Sequence, residues 1–270
     1  MKTIESDPGD FAGSREAPRA PAQKTERTAV RYLPAVIPVP LGLTTSFIVR
    51  DHSVLLVDTG NPGDETAILA AVKKAGISPD EVSLILVTHG HPNNYGSADA
   101  LRELTGAPVA VHEADADAMR PGFDGLRLPA RIIPRLIGLA GGRIAVPGFG
   151  GVEPDIVIRS PADLTAFGVR GRVLPTPGHT PGSVSVLVAG GTVIIGDLLS
   201  ALFAGGRPRL PFRMDNPVAA HKSLRTLLAF GPERVYAAHG GPWPGAPVSA
   251  ARYSHTCTPP APMSPVSGAM

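Results

Sequence analysis

The sequence predicts an α/β fold in which two β-sheets pack together and helices cover their outer faces. Strand and helix patterns alternate in the first half of the 270-residue chain, and short apolar strand patterns dominate the second half. Hydrophobic residues make up 43% of the chain, which is enough for one large core. Because sheets and helices bury apolar faces against one another, this element order indicates packed layers within a single domain.

The first half begins with a predicted hairpin of strands 44–50 and 53–57, which turns at Asp51 and His52. Residues 63–66 are predicted to cap the start of a helix that runs to Lys74. A buried strand at 83–87 follows. A helix at 97–105 and a strand at 108–112 continue the alternation.

The second half contains predicted strands at 172–174, 184–188 and 192–196. Residues 1–29 are rich in Pro, Ala, Arg and Glu, and residues 251–270 are rich in Pro and Ser. These compositions predict a disordered leader and a flexible tail around one domain at 30–250. Between about 119 and 151 lies an apolar insertion without acidic residues from Gly125 to Val152. It is interpreted as a lid over a cleft, or equally as a packed helix or dimer contact.

Composition excludes several classes of protein. The net charge is +2 and the arginines are scattered, which argues against a nucleic-acid-binding protein. Cys257 is the single cysteine, so neither a disulfide framework nor a cysteine zinc site is available. No secretory signal or membrane-spanning run is found, and a cytoplasmic protein is therefore expected.

The most informative residues stand where predicted strands end. His89 and His91 follow the apolar run 84–87 and are separated by Gly90, which allows both imidazoles to reach one metal ion. Three further candidate ligands follow. His179 lies in a Gly- and Pro-rich loop, and Asp197 and His239 each end an apolar run. Loops at strand ends are where a rigid scaffold commonly displays functional side chains.

The order Thr-His-x-His, Pro-Gly-His-Thr-Pro-Gly-Ser, Gly-Asp and His-Gly resembles that of the metallo-β-lactamase superfamily of metallo-hydrolases. The resemblance runs from about Leu41 to about Pro244, and residues 57–60 match the family's early strand and turn. It implies an αββα sandwich of two mixed sheets flanked by helices. It also implies that His89, His91 and His179 hold one metal ion, and that Asp197 and His239 belong to a second site.

The chain departs from the family pattern at Asn93 and Asn94, where the family motif His-x-His-x-Asp-His has its Asp and last His. Amide oxygens are poor ligands for transition metals, so one zinc ion is predicted rather than two, and iron also fits. The predicted reaction is hydrolysis of an ester, thioester, lactone or amide by a metal-activated water. Asn93, Asn94 and Asp197 occupy the catalytic positions.

Two alternatives to a hydrolase stay open. His89, His179 and Asp197 match a two-His-one-carboxylate iron site, which resembles an oxidoreductase branch of the same superfamily. A protein that keeps the fold without metal and uses its cleft for binding is the other alternative. Asp58 is predicted to hold the metal-binding imidazoles through hydrogen bonds, or equally to form the turn before Gly60.

The expected partner is a small molecule of apolar or acyl type, suggested by the insertion and by the apolar stretch 198–204. As an alternative, arginines at three positions after Asp197 could hold a carboxylate; they are Arg207, Arg209 and Arg213. A homodimer is compatible with the apolar insertion. The remaining histidines are interpreted as surface or structural residues; they are His52, His112, His221 and His255.

Overall fold

Two six-stranded mixed sheets form the centre of the protein in a computed structural model that describes residues 33–122, 126–127, 145–146, 150–201 and 206–250. In chain order the strands are β1 (Ala35–Leu41), β2 (Thr44–Arg50), β3 (Val54–Val57), β4 (Val82–Leu86), β5 (Val109–His112), β6 (Leu126–Arg127), β7 (Ala145–Val146), β8 (Ile156–Ile158), β9 (Ala162–Asp163), β10 (Gly171–Pro175), β11 (Val184–Val188), β12 (Thr192–Ile194), β13 (Arg234–Tyr236) and β14 (Trp243–Pro244). The described α-helices are α1 (Glu65–Lys74), α2 (Pro92–Tyr95), α3 (Ala98–Thr105), α4 (Glu113–Met119), α5 (Pro217–Leu228) and α6 (Gly245–Ala250).

The first sheet has the strand order β1-β2-β3-β4-β5-β8, and the second has the order β14-β13-β12-β11-β10-β9. In the first sheet β1, β2 and β3 pair antiparallel, whereas β3, β4, β5 and β8 pair parallel. In the second sheet only the pair β12–β13 is parallel. The predicted fold of two mixed sheets flanked by helices is therefore confirmed.

The core lies between and outside the two sheets because successive side chains on a strand point to opposite faces. In β2, Phe47 and Val49 face the inner layer, where they meet Val186 and Tyr236 of the second sheet. Ile48, between them, packs in the outer layer with helices α1, α3 and α4. A third apolar cluster joins the second sheet to α5 and α6. Strands buried on both faces explain the continuous apolar runs in the sequence.

Two helices that sequence patterns did not reveal help to shape the site. Helix α4 follows β5 directly, and the His112 Nδ1 accepts a hydrogen bond from the Ala114 N–H at its start. Helix α5 begins at Pro217, after the Asn216 side chain accepts a hydrogen bond from the Ala219 N–H. Its buried face packs against the outer side of the second sheet.

The predicted strand at 192–196 ends early, at Ile194. Gly196 has a φ of +52°, and a Cβ there would lie 2.7 Å from the Thr88 hydroxyl. Glycine thus permits both the left-handed backbone and the close approach to the His89 turn. Strand pairing therefore gives way to a turn immediately before Asp197.

Several predicted features lie outside the described residues, namely the leader at 1–29, the tail at 251–270 and the apolar run 128–139. Within the predicted insertion, β6 and β7 pair antiparallel. Among the helices of the described ranges, none has both the length and the apolar character needed to cross a bilayer.

Candidate metal centre

The predicted ligands come together at one edge of the sandwich because each follows the end of a strand. His89 and His91 lie in the turn after β4, and His179 lies in the loop between β10 and β11. Asp197 follows β12 and His239 follows β13, its parallel neighbour. Carboxyl ends of neighbouring parallel strands open at the same sheet edge, where functional sites commonly form.

The three imidazoles of His89, His91 and His179 face a common point. Their ring centroids are 4.7–4.8 Å apart and their planes meet at 84–89°. Their candidate ligand nitrogens all lie within 4.8 Å of one another. The His179 Nε2 and the His91 Nδ1 are 3.0 Å apart. His89 and His179 are buried and His91 is partly buried, and such a convergence of imidazole nitrogens is the arrangement that a metal ion needs.

The Nδ1 atoms of His179 and His89 have hydrogen-bond partners on the side of each ring away from the point where the three imidazoles meet. The other nitrogen of each ring, Nε2, therefore directs its lone pair at that point. The His179 Nδ1 lies 3.0 Å from the Arg213 carbonyl oxygen, which can only accept a hydrogen bond. The His89 Nδ1 lies 3.1 Å from the Thr88 hydroxyl oxygen. With Nδ1 carrying the proton in both rings, Nε2 presents the lone pair that can bind a metal.

Asp58 acts on this arrangement through Thr88. Its carboxylate accepts hydrogen bonds from the Thr88 backbone N–H at 2.7 Å and from the Thr88 hydroxyl at 2.8 Å. Burial raises the pKa of Asp58 to about 7, although the hydrogen bonds from Thr88 lower it. Asp58 also has a φ of +59°, in the left-handed region, and its hydrogen bonds hold the residue that precedes His89.

Asp197 borders the three imidazoles and is only 8% exposed. Its Oδ2 lies 3.4 Å from the His179 Nε2 and 3.7 Å from the His89 Nε2. Burial works to raise the pKa of Asp197, but the hydrogen bond with His239 and the neighbouring imidazoles hold it at about 2. The carboxylate is therefore ionised. Its Oδ1 is buried and has no hydrogen-bond partner among the described residues.

His239 lies beside Asp197. Its Nε2 is 3.4 Å from the Asp197 Oδ2, and its Nδ1 donates a hydrogen bond to the Leu43 carbonyl oxygen at 2.6 Å. The hydrogen bond with Asp197 raises the pKa of His239 to about 9, although burial lowers it. His239 thus lies against the same Asp197 oxygen that faces His89 and His179. The resemblance assigns Asp197 and His239 to a second site.

These distances fit one divalent ion. Zinc bound tetrahedrally at about 2.0–2.1 Å places its ligand atoms about 3.3 Å apart. The measured separations among His91, His179 and Asp197 are 3.0 and 3.4 Å. The buried, unpartnered Asp197 Oδ1 is a second indication, because an ionised oxygen without a partner calls for a cation or water. His89, His91, His179 and Asp197 together could hold a metal ion.

Asn93 and Asn94 occupy different surroundings. Asn94 is fully buried, and its Nδ2 lies 3.0 Å from the His89 Nε2. The Asn94 carbonyl accepts hydrogen bonds from the Thr59 N–H and hydroxyl, so its backbone is held firmly. Asn93 is half-buried and lines the cleft in front of the imidazoles. Neither side chain offers the anionic or imidazole ligand that the family pattern has at these positions.

Asp115 is a residue of the site that the sequence did not reveal. Its buried carboxylate accepts hydrogen bonds from the Gly90 N–H at 2.8 Å, the Gly182 N–H at 2.8 Å and the Thr180 hydroxyl at 2.6 Å. A single side chain of α4 therefore joins the His89–His91 turn to the His179 loop. Glu113, Asp115 and Asp117 form an acidic stretch, and no spacing signal distinguishes the central residue.

A cleft of about 900 Å³ opens in front of the three imidazoles and Asp197. The suggestion that the stretch 198–204 provides an apolar lining is wrong for Leu198 and Leu199. Both are buried in the outer apolar cluster with α5, because the turn after Asp197 directs them away from the cleft. Of the three arginines that follow, Arg209 and Arg213 line the cleft, whereas Arg207 is exposed elsewhere.

Of the histidines interpreted as surface or structural, His52 is exposed and His112 caps α4. His221 lies on α5, and His255 lies outside the described residues.

A model of the metallo-beta-lactamase superfamily matches residues 39–239. The chain is also similar to a hydroxyacylglutathione hydrolase of Alkalilimnicola ehrlichii, with 32% identity over 195 residues. That match covers 72% of this chain and 60% of the hydrolase. The chain thus spans less than two thirds of that relative's length.

Solved structures show the same architecture. The BLEG-1 B3 metallo-beta-lactamase is similar with a TM-score of 0.58 and 24% identity, covering 79% of this chain and 95% of that one. TTHA1623 in a di-iron-bound form is similar with a TM-score of 0.52 and 29% identity, and the match covers 80% of this chain and 98% of that one. The first likeness establishes the shared fold alone.

Proposed function

Because the chain belongs to the metallo-β-lactamase superfamily, we propose that it is a metal-dependent hydrolase that cleaves an ester, thioester, lactone or amide bond. The observation that carries this proposal is the convergence of three imidazoles, two of them buried, and the ionised Asp197 at an open cleft. The likeness to a hydroxyacylglutathione hydrolase also supports hydrolysis.

In this reaction water adds to the acyl carbon of the substrate. The bond from that carbon to the leaving oxygen, sulfur or nitrogen breaks, and the leaving group takes up a proton. A divalent ion held by neutral imidazoles lowers the pKa of a bound water towards neutrality. Burial lowers the pKa of His89 to about 3, which keeps that ring neutral and able to bind metal across the physiological range.

The protein's own residues would position the water and the substrate. The Asp197 Oδ1 has no partner among the described residues and can accept a hydrogen bond from water. Asn93, at the cleft wall, can hydrogen-bond water or a substrate carbonyl through its amide, but it cannot take up a proton near neutral pH. His239, whose pKa is raised to about 9, would be protonated at neutral pH and could donate the proton to the leaving group.

We propose a single zinc ion as the resident metal. His89, His91 and His179 form a complete set of nitrogen ligands, whereas Asn93 and Asn94 leave the second position with Asp197 and His239 alone. Asp197 already lies within 3.7 Å of both metal-binding imidazole nitrogens of His89 and His179. Its charge would thus support the first ion.

The direct test is metal analysis of protein purified without added metal, combined with assays on a neutral ester, a thioester, a lactone and an amide. We expect about one equivalent of zinc and hydrolysis of at least one bond class. A chelator should abolish the activity and zinc should restore it. Zinc-loaded, folded protein that cleaves none of the four would contradict the proposal.

A mononuclear iron oxidoreductase is the second candidate. Its support is the pair His89 and His179 with the Asp197 carboxylate, which matches a two-His-one-carboxylate ligand set. The likeness to a protein solved in a di-iron-bound form also favours it. Iron as the purified metal, without hydrolysis in the four assays, would select this candidate. Purification without any metal would instead favour a binding protein.

A further inference from the structure

We infer that the cleft binds a carboxylate group of its substrate through Arg213 and Arg209, so that the substrate is an anionic acyl compound with an apolar body. This inference rests on the proposed function, because it specifies the substrate class of the same site. The sequence suggested that three arginines after Asp197 could hold a carboxylate, and this inference assigns that role to two of them.

Arg213 is placed beside the metal centre by its own backbone. Its carbonyl oxygen accepts the hydrogen bond from the His179 Nδ1 at 3.0 Å, and its side chain lines the cleft. His91 and His179 line the same cleft as Arg213. A carboxylate bound to Arg213 would therefore lie near the reacting bond.

Arg209 is held at the cleft by a short backbone bridge. Its N–H and carbonyl both pair with Ser200, at 3.0 and 2.9 Å, three residues after Asp197. Its side chain also lines the cleft. The two arginines thus border the same space, one beside the His179 loop and the other beside the Asp197 turn.

Arg209 and Arg213 lack the carboxylate partner that several other arginines of the described ranges have. Arg102, Arg120, Arg159 and Arg170 each pair with a nearby carboxylate. Within the described ranges neither Arg209 nor Arg213 has a carboxylate within ion-pair distance. The single acidic residue along the described cleft wall is Asp197, which the imidazoles already surround. The cleft therefore has two free cationic groups, and arginine binds carboxylates through paired hydrogen bonds.

The rim of the cleft supplies the apolar part of the proposed recognition. Phe212 lies between the two arginines in sequence and is fully exposed, and Leu43, which also lines the cleft, is 92% exposed. Large apolar side chains left in water beside a cleft commonly mark a binding surface. An acyl or aryl group held between Phe212 and Leu43 would remove both from water while its carboxylate meets the arginines.

The test compares the binding of two probes that differ in charge alone, naphthalene-2-acetate and its neutral primary amide. Calorimetry on metal-loaded wild-type protein should show the carboxylate binding roughly tenfold more tightly than the amide. Arg213→Gln and Arg209→Gln should each reduce this preference, and the double variant should remove it. Arg207→Gln is the matched control, because Arg207 is exposed in the same segment and does not line the cleft.

Several outcomes would overturn the inference. The wild type could bind acid and amide equally, the double variant could keep the preference, or Arg207→Gln could reduce it as strongly as the other variants. A preference that disappears from wild-type protein on chelation would also overturn it, because the metal rather than the arginines would then bind the carboxylate. Because binding is measured without turnover, an inactive protein that keeps the preference would contradict the hydrolase proposal alone.

Discussion

The Asp115 carboxylate accepts a hydrogen bond from the Gly90 N–H, 2.8 Å away, at the midpoint of the His89–His91 turn. The same carboxylate accepts hydrogen bonds from Gly182 and Thr180 in the loop that presents His179. A side chain of one helix thus fixes the separation of the two loops that supply all three imidazoles. Hydrogen bonds behind metal ligands commonly tune affinity in this way.

We predict that Asp115→Ala lowers metal affinity roughly 10- to 100-fold, as loss of outer hydrogen bonds does in other metal sites. The substitution leaves the Gly90 and Gly182 N–H groups and the Thr180 hydroxyl without their acceptor. Each unsatisfied buried donor costs about 1–3 kcal/mol of unfolding free energy. Competition with a chromophoric chelator measures the affinity, and circular dichroism monitors folding.

Asp117→Asn is the control for this prediction. Asp117 lies on the same helix, but its side chain is 90% exposed and pairs with Arg120. We expect its metal affinity to equal that of the wild type. A folded Asp115→Ala protein with unchanged affinity would show that the two loops hold their separation without the carboxylate.

A second prediction concerns metal stoichiometry. The wild type should bind about one equivalent of zinc, and His179→Ala should retain none after gel filtration, because two imidazoles hold an ion weakly. His52→Ala, altered at an exposed position in the turn between β2 and β3, should keep the metal. Elemental analysis provides the measurement. Two tightly bound ions per wild-type chain would contradict the prediction.

The convergence of the ligands could be predicted from sequence because each ligand follows an apolar strand. His89, His91, His179, Asp197 and His239 all lie at strand ends in the structure. A strand pattern fixes where its end lies, and two packed sheets bring those ends to a common edge. The fold and the ligand cluster are therefore accessible to sequence reasoning.

The groups that orient the ligands were not accessible in the same way. The Arg213 and Leu43 carbonyls accept hydrogen bonds from His179 and His239, and any residue type has a carbonyl. Asp115 acts from a helix 65 residues before Thr180 in the chain. Likewise, the sequence of an apolar stretch does not show which way its side chains face. Leu198 and Leu199 follow Asp197 directly, yet they pack in the core and not in the cleft.

A third prediction concerns pH and a pair far from the metal centre. Asp51 is buried, and its carboxylate accepts hydrogen bonds from the backbone N–H and guanidinium of Arg170. The side-chain hydrogen bond to Arg170 lowers the pKa of Asp51, while burial works to raise it. The folded state thus has the lower pKa, so the stabilisation is complete above the unfolded value of about 3.9. It is lost as the pH falls below that value and through the folded pKa.

Asp51→Asn should therefore reduce the free energy of unfolding at pH 7 by about 1–2 kcal/mol, since Arg170 is partly exposed and solvent screens its charge. The difference in the free energy of unfolding between the variant and the wild type should shrink as the pH is lowered from about 4 towards 2. Urea titrations at several pH values, with both proteins in the same metal state, measure it. A difference that is constant over this range would assign the effect to packing instead of charge.

The last prediction tests Asn93 and Asn94. Changing Asn93→Asp and Asn94→His together would place a carboxylate and an imidazole beside Asp197 and His239. The backbone at Asn94 is held by hydrogen bonds from Thr59, so the new side chains should project from unchanged positions. We expect a second ion roughly 3.5–4 Å from the first, together with a gain in hydrolysis of a generic ester or lactone.

Each single change should do much less than the double change, because a half-built site leaves the new charge or ring without its metal. Elemental analysis gives the ion count, and initial rates on the ester and lactone give the gain. Binding of a single ion by the double variant would mean that the site lacks the geometry for two. Uptake of two ions with loss of the native activity would instead mean that Asn93 and Asn94 take part in the present chemistry in a way that carboxylate and imidazole cannot replace.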